Sequence, residues 1–406
     1  MLAKYRPVLA TPGALRLIVS ALVARLPQGM APLAVLLLVR GATHSYAIAG
    51  LAVGAEAFAT AGCAPVFGRL VDRVGRRRVI APLAGTQAVV YLLLVVAADA
   101  HAGAPVLVLL AALSGALLPP IAPVVRVLLR ELFADVTVRD TAYSLEAVLQ
   151  ELIWMTGPLV VALLIAFTSA SFAVGLLGAV CVTGVAVFLS SPLLRSGEVG
   201  PARGSERRSA LASPELRALL GPIALTGCGL GAIEVGLPSL ALHAGSRPAS
   251  GLLLALWSLG SMIGGLWYGS RVWSSPLQRR YQTLLVLAVL CTAPLIAARS
   301  IGAGGICSLI AGLTIAPMFS CQYALVGRSV SDGSETEAFT WVSAALIGGF
   351  SAGSAIGGAV IAVAGVSAPF VVACLATILA VLVTGLSRLA SAPEASGAQA
   401  APDVCR

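Results

Sequence analysis

Gly68-Arg69-Leu70-Val71-Asp72-Arg73-Val74-Gly75-Arg76-Arg77-Arg78 decides how this chain is read. It is a short, strongly basic segment between two long apolar runs, one ending near Phe67 and the next beginning near Val79. A bilayer-spanning helix needs a run of about 20 apolar residues. The segment sets five arginines beside the membrane, which marks that side as cytoplasmic. Gly68 and Gly75 allow tight backbone at the two helix ends. Asp72 is the only acid among the arginines. It can pair with them or point at the positive N-terminus of another helix.

Working outward, composition agrees with a membrane protein. The 406 residues are 58% hydrophobic and 11% charged, with a mean hydropathy of +0.97. A soluble domain cannot hide that much apolar surface. The net charge of +9 is carried almost wholly by arginine, Lys4 being the only lysine. That excess fits an anionic lipid surface. No basic stripe with interleaved aromatics lies outside the apolar runs, so no nucleic-acid partner is expected. Seven of the eight cysteines sit in apolar runs and none forms a C-x-x-C pair. Neither a disulfide framework nor a metal site is implied. The first apolar run is too long for a cleavable signal.

Twelve apolar runs can be drawn, near 14–39, 46–67, 79–98, 105–128, 141–168, 171–190, 217–240, 250–270, 281–298, 301–326, 336–363 and 367–387. The fold class is an all-α membrane protein. Basic residues crowd the connections on one side, the 69–78 group, Arg203, Arg207, Arg208, Arg279 and Arg280 among them, while the other side carries Arg40, Arg247 and Arg299. That asymmetry puts both termini in the cytoplasm, and the expected location is the inner (plasma) membrane. The polar stretch between the sixth and seventh runs reads as a linker. Four parts follow: an N-terminal six-helix bundle (1–190), a cytoplasmic linker (191–216), a C-terminal six-helix bundle (217–390) and a disordered tail (391–406).

The pattern G-x-L-x-D-R-x-G-R-R, carried by Gly68, Leu70, Asp72, Arg73, Gly75, Arg76 and Arg77, resembles the signature loop between helices two and three of the major facilitator superfamily. The resemblance implies twelve helices in two pseudo-symmetric six-helix bundles. It also implies that Gly68, Asp72, Arg73, Gly75 and Arg76 form a cytoplasmic latch between the halves; the plainer reading is a topological anchor. Residues 269–280 echo the loop without its Asp. Gly157-Pro158 interrupts the fifth run and is similar to a motif of the family's exporters, though it also suits an ordinary membrane kink. Arg126 resembles the arginine of the exporters' fourth-helix motif, without the Gln-Gly that follows it there. Gly349, Gly353, Gly357 and Gly358 suit close helix contact in the eleventh run.

Charges inside hydrocarbon are costly unless paired or hydrated, so each is a candidate site. Arg25 lies about eleven residues into the first run, ~16 Å at 1.5 Å per residue. Glu56 and Glu151 are similarly deep in the second and fifth runs, and Glu146 is nearer the cytoplasmic end. By the resemblance, these runs line the cavity or the interface between halves. Glu151, with Glu56 next, is the candidate proton carrier. Arg25 either tunes them or simply neutralises a glutamate. Trp154, Trp257, Trp341, Gln28 and Glu234 are candidate substrate contacts or packing residues; Gln322 and Tyr323 could add hydrogen bonds. The three histidines fall in external loops.

No nucleotide-binding loop and no nucleophile–base motif occur, so neither an enzyme nor a cofactor is expected. The leading expectation is a monomeric secondary transporter exchanging protons for a small apolar or amphipathic compound, which it exports. Uptake of a sugar, amino acid or related metabolite is the alternative within transport. A non-transporting receptor or scaffold is the alternative outside it.

Overall fold

The computed structural model describes residues 4–196, 209–330 and 333–386. Among them twelve helical spans are long and apolar enough to cross a membrane. They are α1 (Ala14–Thr43), α2 (Tyr46–Val74), α3 (Arg76–Asp99), α4 in two pieces (Ala104–Ala116 and Ile121–Leu132), α5 (Val136–Phe167), α6 (Ala170–Leu189), α7 (Pro214–His243), α8 (Arg247–Gly269), α9 in two pieces (Leu277–Thr292 and Pro294–Ala297), α10 in two pieces (Ile301–Gly312 and Ile315–Ser329), α11 (Glu335–Ala364) and α12 (Ala368–Leu386). No strand occurs among the described residues. In lipid that is expected, because a helix satisfies its own backbone polar groups. Arg203, Arg207, Arg208 and the tail after 390 lie outside the described residues.

The packing within α1–α6 recurs in α7–α12 with six added to each number. α1 packs on α5 and α6 as α7 packs on α11 and α12, and α2 packs on α4 as α8 packs on α10. Small residues make the tightest of these contacts. Gly349, Gly353 and Gly357 of α11 fall against Ala224, Cys228 and Ala232 of α7, while Gly227 and Gly231 of α7 fall against Leu346 and Phe350 of α11. Both sets step by four residues, so they form facing ridges on which two backbones can close. Gly358 faces open space and takes no part.

The halves meet through α2 on α11 and through α5 on α8 and α10. That contact is confined to one end. The buried residues of α11 are Thr336 to Thr340 and Val342, after which only Gly353 and Gly357 are buried, and those abut α7 of their own half. Along α5, burial is dense to Ile153 and then continues only at Gly157 and Val161. Gly157 rests on Gly29 of α1, again within one half. The halves are therefore joined at the end carrying the basic segment and part towards the other.

Three expectations change. The basic segment is hardly a loop: α2 runs to Val74, α3 starts at Arg76, and Gly75 alone separates them with φ +105°. Gly68 lies inside α2, so its small size serves packing rather than a helix end. Gly157-Pro158 does not interrupt α5, which is continuous with Pro158 inside it; a close contact with Gly29 at the glycine, not a break, is what the pair provides. The fourth, ninth and tenth runs, read as single helices, are each in two pieces. At the first break stand Pro119 and Pro120, which cannot donate to a helical ladder.

Candidate functional site

The latch begins with a cap supplied across the halves. Ser334, the N-cap residue of α11, makes no side-chain capping bond. Asp72 of α2 does the work instead. Its carboxylate accepts from the backbone N–H of Thr336 at 3.2 Å and of Glu337 at 2.9 Å. The first N–H groups of a helix have no partner within it and carry its positive dipole end, so an anion there is favoured. Gly68, one turn earlier, lets α2 approach; a Cβ would collide with Thr340 and crowd Glu337.

Around this cap lie contacts that the sequence reading did not foresee. Arg69 donates to Glu337 at 2.7 Å, and Ser209 from the end of the linker donates to the same Glu337 oxygen at 2.7 Å. Arg130 of α4 pairs with Glu335 at 2.9 Å. Tyr5, from the short helical stretch before α1, donates to the carbonyl of Leu266 at 3.0 Å. Burial pushes its hydroxyl up to about 12, so it remains a donor at any physiological pH. Of the predicted latch residues, Gly68 and Asp72 reach the opposite half. Arg76 does not: it pairs with Glu131 of α4 in its own half. Arg73 is the exposed last-turn residue of α2, and Gly75 makes the turn into α3.

The weak echo at 269–280 also acts across the halves, with its acid borrowed. Asp140 of α5 accepts from Arg280 at 3.4 Å and faces Arg328 at 3.8 Å. Arg280 lies in the first turn of α9 rather than in a loop. Ser144 bonds Ser320 at 2.9 Å, and Thr141 donates to the carbonyl of Gly269 at 3.1 Å.

Deeper in lies a buried charge cluster. Arg25 donates to Glu146 at 2.8 Å and also to Gln150. Arg126 approaches the same Glu146 at 3.7 Å, donates to the Tyr323 hydroxyl at 2.9 Å, and lies 3.9 Å over the Tyr323 ring. Arg25 thus stands against Glu146, the arrangement of its plainer reading, in which it neutralises a glutamate. Gln150 was legible: it is four residues after Glu146 and shares its helix face. Arg126 was seen, but the sequence placed it near the membrane edge, and the cluster draws it inside.

The other two carboxylates part company. Glu151 is buried, with Ser261 of α8, in the opposite half, beside it. Ser261 itself accepts from the N–H of Ala316 at 3.1 Å, which leaves its own O–H free to donate. Glu56 is buried within the N-terminal half beside Ser114, with one carboxyl oxygen unpartnered. The predicted substrate residues differ in burial. Trp154 and Glu234 are exposed and Gln28 is half-buried. Trp257 and Trp341 pack against the core, with buried indole N–H groups that lack partners. Gln322 is fully buried and donates to Tyr281 at 3.1 Å, away from the cluster. Among the described residues no group of acids, histidines and cysteines is placed to hold a metal.

The fold has solved counterparts. The human organic anion transporter MFSD10 (TETRAN) superposes with a TM-score of 0.74 at 18% identity, over 92% of this chain and 99% of that one. A bacterial homologue of the iron transporter ferroportin in an outward-facing state gives 0.72 at 15%, over 91% and 97%. With soaked iron it gives 0.70 at 15%, over 91% and 97%. At such identities they speak for the fold alone. No curated sequence matches the chain. The sequence model of the Major Facilitator Superfamily matches residues 17–305; the chain belongs to that superfamily and is a transporter.

Proposed function

We propose that the chain is a proton-coupled secondary transporter that exports a small apolar or amphipathic compound by alternating access, with the latch end facing the cytoplasm. One observation carries the coupling. Of the deep carboxylates, Glu146 is held between two arginines and Glu56 is enclosed in its own half. Glu151 alone faces a residue of the opposite half, Ser261, near the level where they begin to part. A group at that level can meet water from either side as the halves rock. Carrying a proton there, it crosses the closed state without the cost of a bare charge. Trp154, Gln28 and Glu234 are the candidate contacts for the exported compound. Glu151→Gln keeps the shape but cannot carry a proton. In vesicles with an imposed proton gradient it should lose uphill accumulation and keep downhill exchange of the compound. Uphill transport at the parent rate would remove Glu151 from the coupling step. The side of accumulation separates export from uptake.

A further inference from the structure

Beside the α8–α9 connection lies a cavity of about 210 Å³ that the transport reading does not use. Its walls come from both halves: Thr137 and Asp140 from the start of α5, and Arg271, Trp273, Arg280 and Arg328 from the other half. Three guanidinium groups face one carboxylate, so the pocket is positive. Two needs in it are unmet. Arg280 is 9% exposed, and its Nε is buried without a partner. Its other nitrogens reach the Tyr268 hydroxyl at 3.0 Å and Asp140 at 3.4 Å. Asp140 has a second oxygen, Oδ1, also buried and unpartnered. Leaving charged groups buried and unsatisfied is costly. A ligand that answers both must bring an anion to the arginines and an O–H donor to the carboxylate.

The aromatic side of the pocket gives its level. Trp273 stacks on Tyr268 at 4.9 Å and meets Trp267 edge-on at 5.8 Å, and Arg271 lies over the Trp267 ring at 5.4 Å. Trp267 is half exposed. Tryptophans of this kind gather at the headgroup layer of a bilayer. The geometry points to a binding site for a hydroxylated phosphate ester, the chemistry of a glycerophosphate group, that holds this end of the transporter closed. The phosphate takes Arg271, Arg280 and Arg328, in the manner of charge-assisted guanidinium–phosphate bonds. A glycerol hydroxyl donates to Asp140 Oδ1. Because Asp140 and Thr137 belong to one half and the arginines to the other, the site is complete only while the halves meet. A ligand that binds only that state raises its population.

The test uses the full chain in bilayers of zwitterionic lipid, in the same bilayers with added phosphatidylglycerol, and in zwitterionic bilayers with soluble glycerol phosphate. Thermal unfolding and hydrogen exchange of the α5 start and the α10 end are read in each. Phosphatidylglycerol or glycerol phosphate should raise Tm by about 3 °C and slow exchange at those two segments. A response to the lipid alone identifies a headgroup, and a response to glycerol phosphate identifies a soluble ester. Arg271→Gln and Arg328→Gln, both at exposed arginines, should each abolish the response. Arg6→Gln, outside the pocket on the same side, should keep it. Equal behaviour in all three conditions overturns the site, as does a response that survives both pocket substitutions.

Discussion

At the scale of single residues, the buried cluster is unbalanced: Arg25 and Arg126 share Glu146. Removing one partner of a buried ion pair costs roughly 3–5 kcal/mol when it leaves a bare charge. Arg25→Ala does not do so, since Arg126 still faces the glutamate. Glu146→Gln does worse, because it leaves two guanidiniums together with no acid between them. We therefore expect Glu146→Gln to lower the yield of folded protein far more than Arg25→Gln. The double variant should recover much of the loss, because it removes one of the two repelling cations. Thermal unfolding of the three variants in detergent measures this. Equal losses for both single variants, with no recovery in the double, would show that the cluster is not bound by charge.

At the scale of elements, α7 and α11 close on facing ridges of small residues. A Cβ at Gly353 would run into the carbonyl of Cys228, whereas one at Gly358 would meet open space. In lipid, helix association rests on such close packing rather than on a hydrophobic drive. Gly353→Val should therefore force α7 and α11 apart and destabilise the C-terminal half by about 2–3 kcal/mol, as overpacking does. Gly358→Val should be near neutral. Unfolding temperatures of the two variants provide the comparison, and similar values would mean the ridge contact is not close. The latch is also an element-scale device: α2 supplies, through Asp72, the cap for the first N–H groups of α11.

At the scale of the whole molecule, the halves touch at one end, so small changes at the latch should move the other. Asp72→Asn keeps one acceptor for the α11 N–H groups and loses the charge. A hydrogen bond to a charged group contributes about 1.5–3 kcal/mol, against about 1 for a neutral one. The loss of ~1.4 kcal/mol is about tenfold in population. Leu51 of α2 and Ile356 of α11 stand towards the parted end, each about 16–17 residues from the Gly68–Thr340 contact, or ~25 Å along the helices. Spin labels at these two positions should show a shorter separation in Asp72→Asn than in the parent, as the parted end closes. An unchanged distance distribution together with full transport would reduce the basic segment to a topological anchor.

Much of this was written in the sequence. Twelve runs of sufficient length, the charge asymmetry of their connections and the pattern around Asp72 determined the helical membrane class and the superfamily, because hydrocarbon admits few backbone structures and helices report their length and polarity locally. Glycine spacing in the eleventh run foretold a close contact, and counting alone set Arg25 and Glu151 deep in their runs and Glu146 nearer the cytoplasmic end. Partners were not. That Arg25 meets Glu146, that Ser261 comes to Glu151, and that α11 is capped from α2 depend on contacts between residues more than a hundred positions apart, and that Arg126 shares Glu146 depends on how two separate helices pack. Helical periodicity gives a residue's face but not the helix that will cover it. The breaks in α4 and α10, the continuity of α5 through Pro158 and the end at which the halves meet were likewise decided only by packing, where backbone carbonyls and small residues settle how near two helices can come.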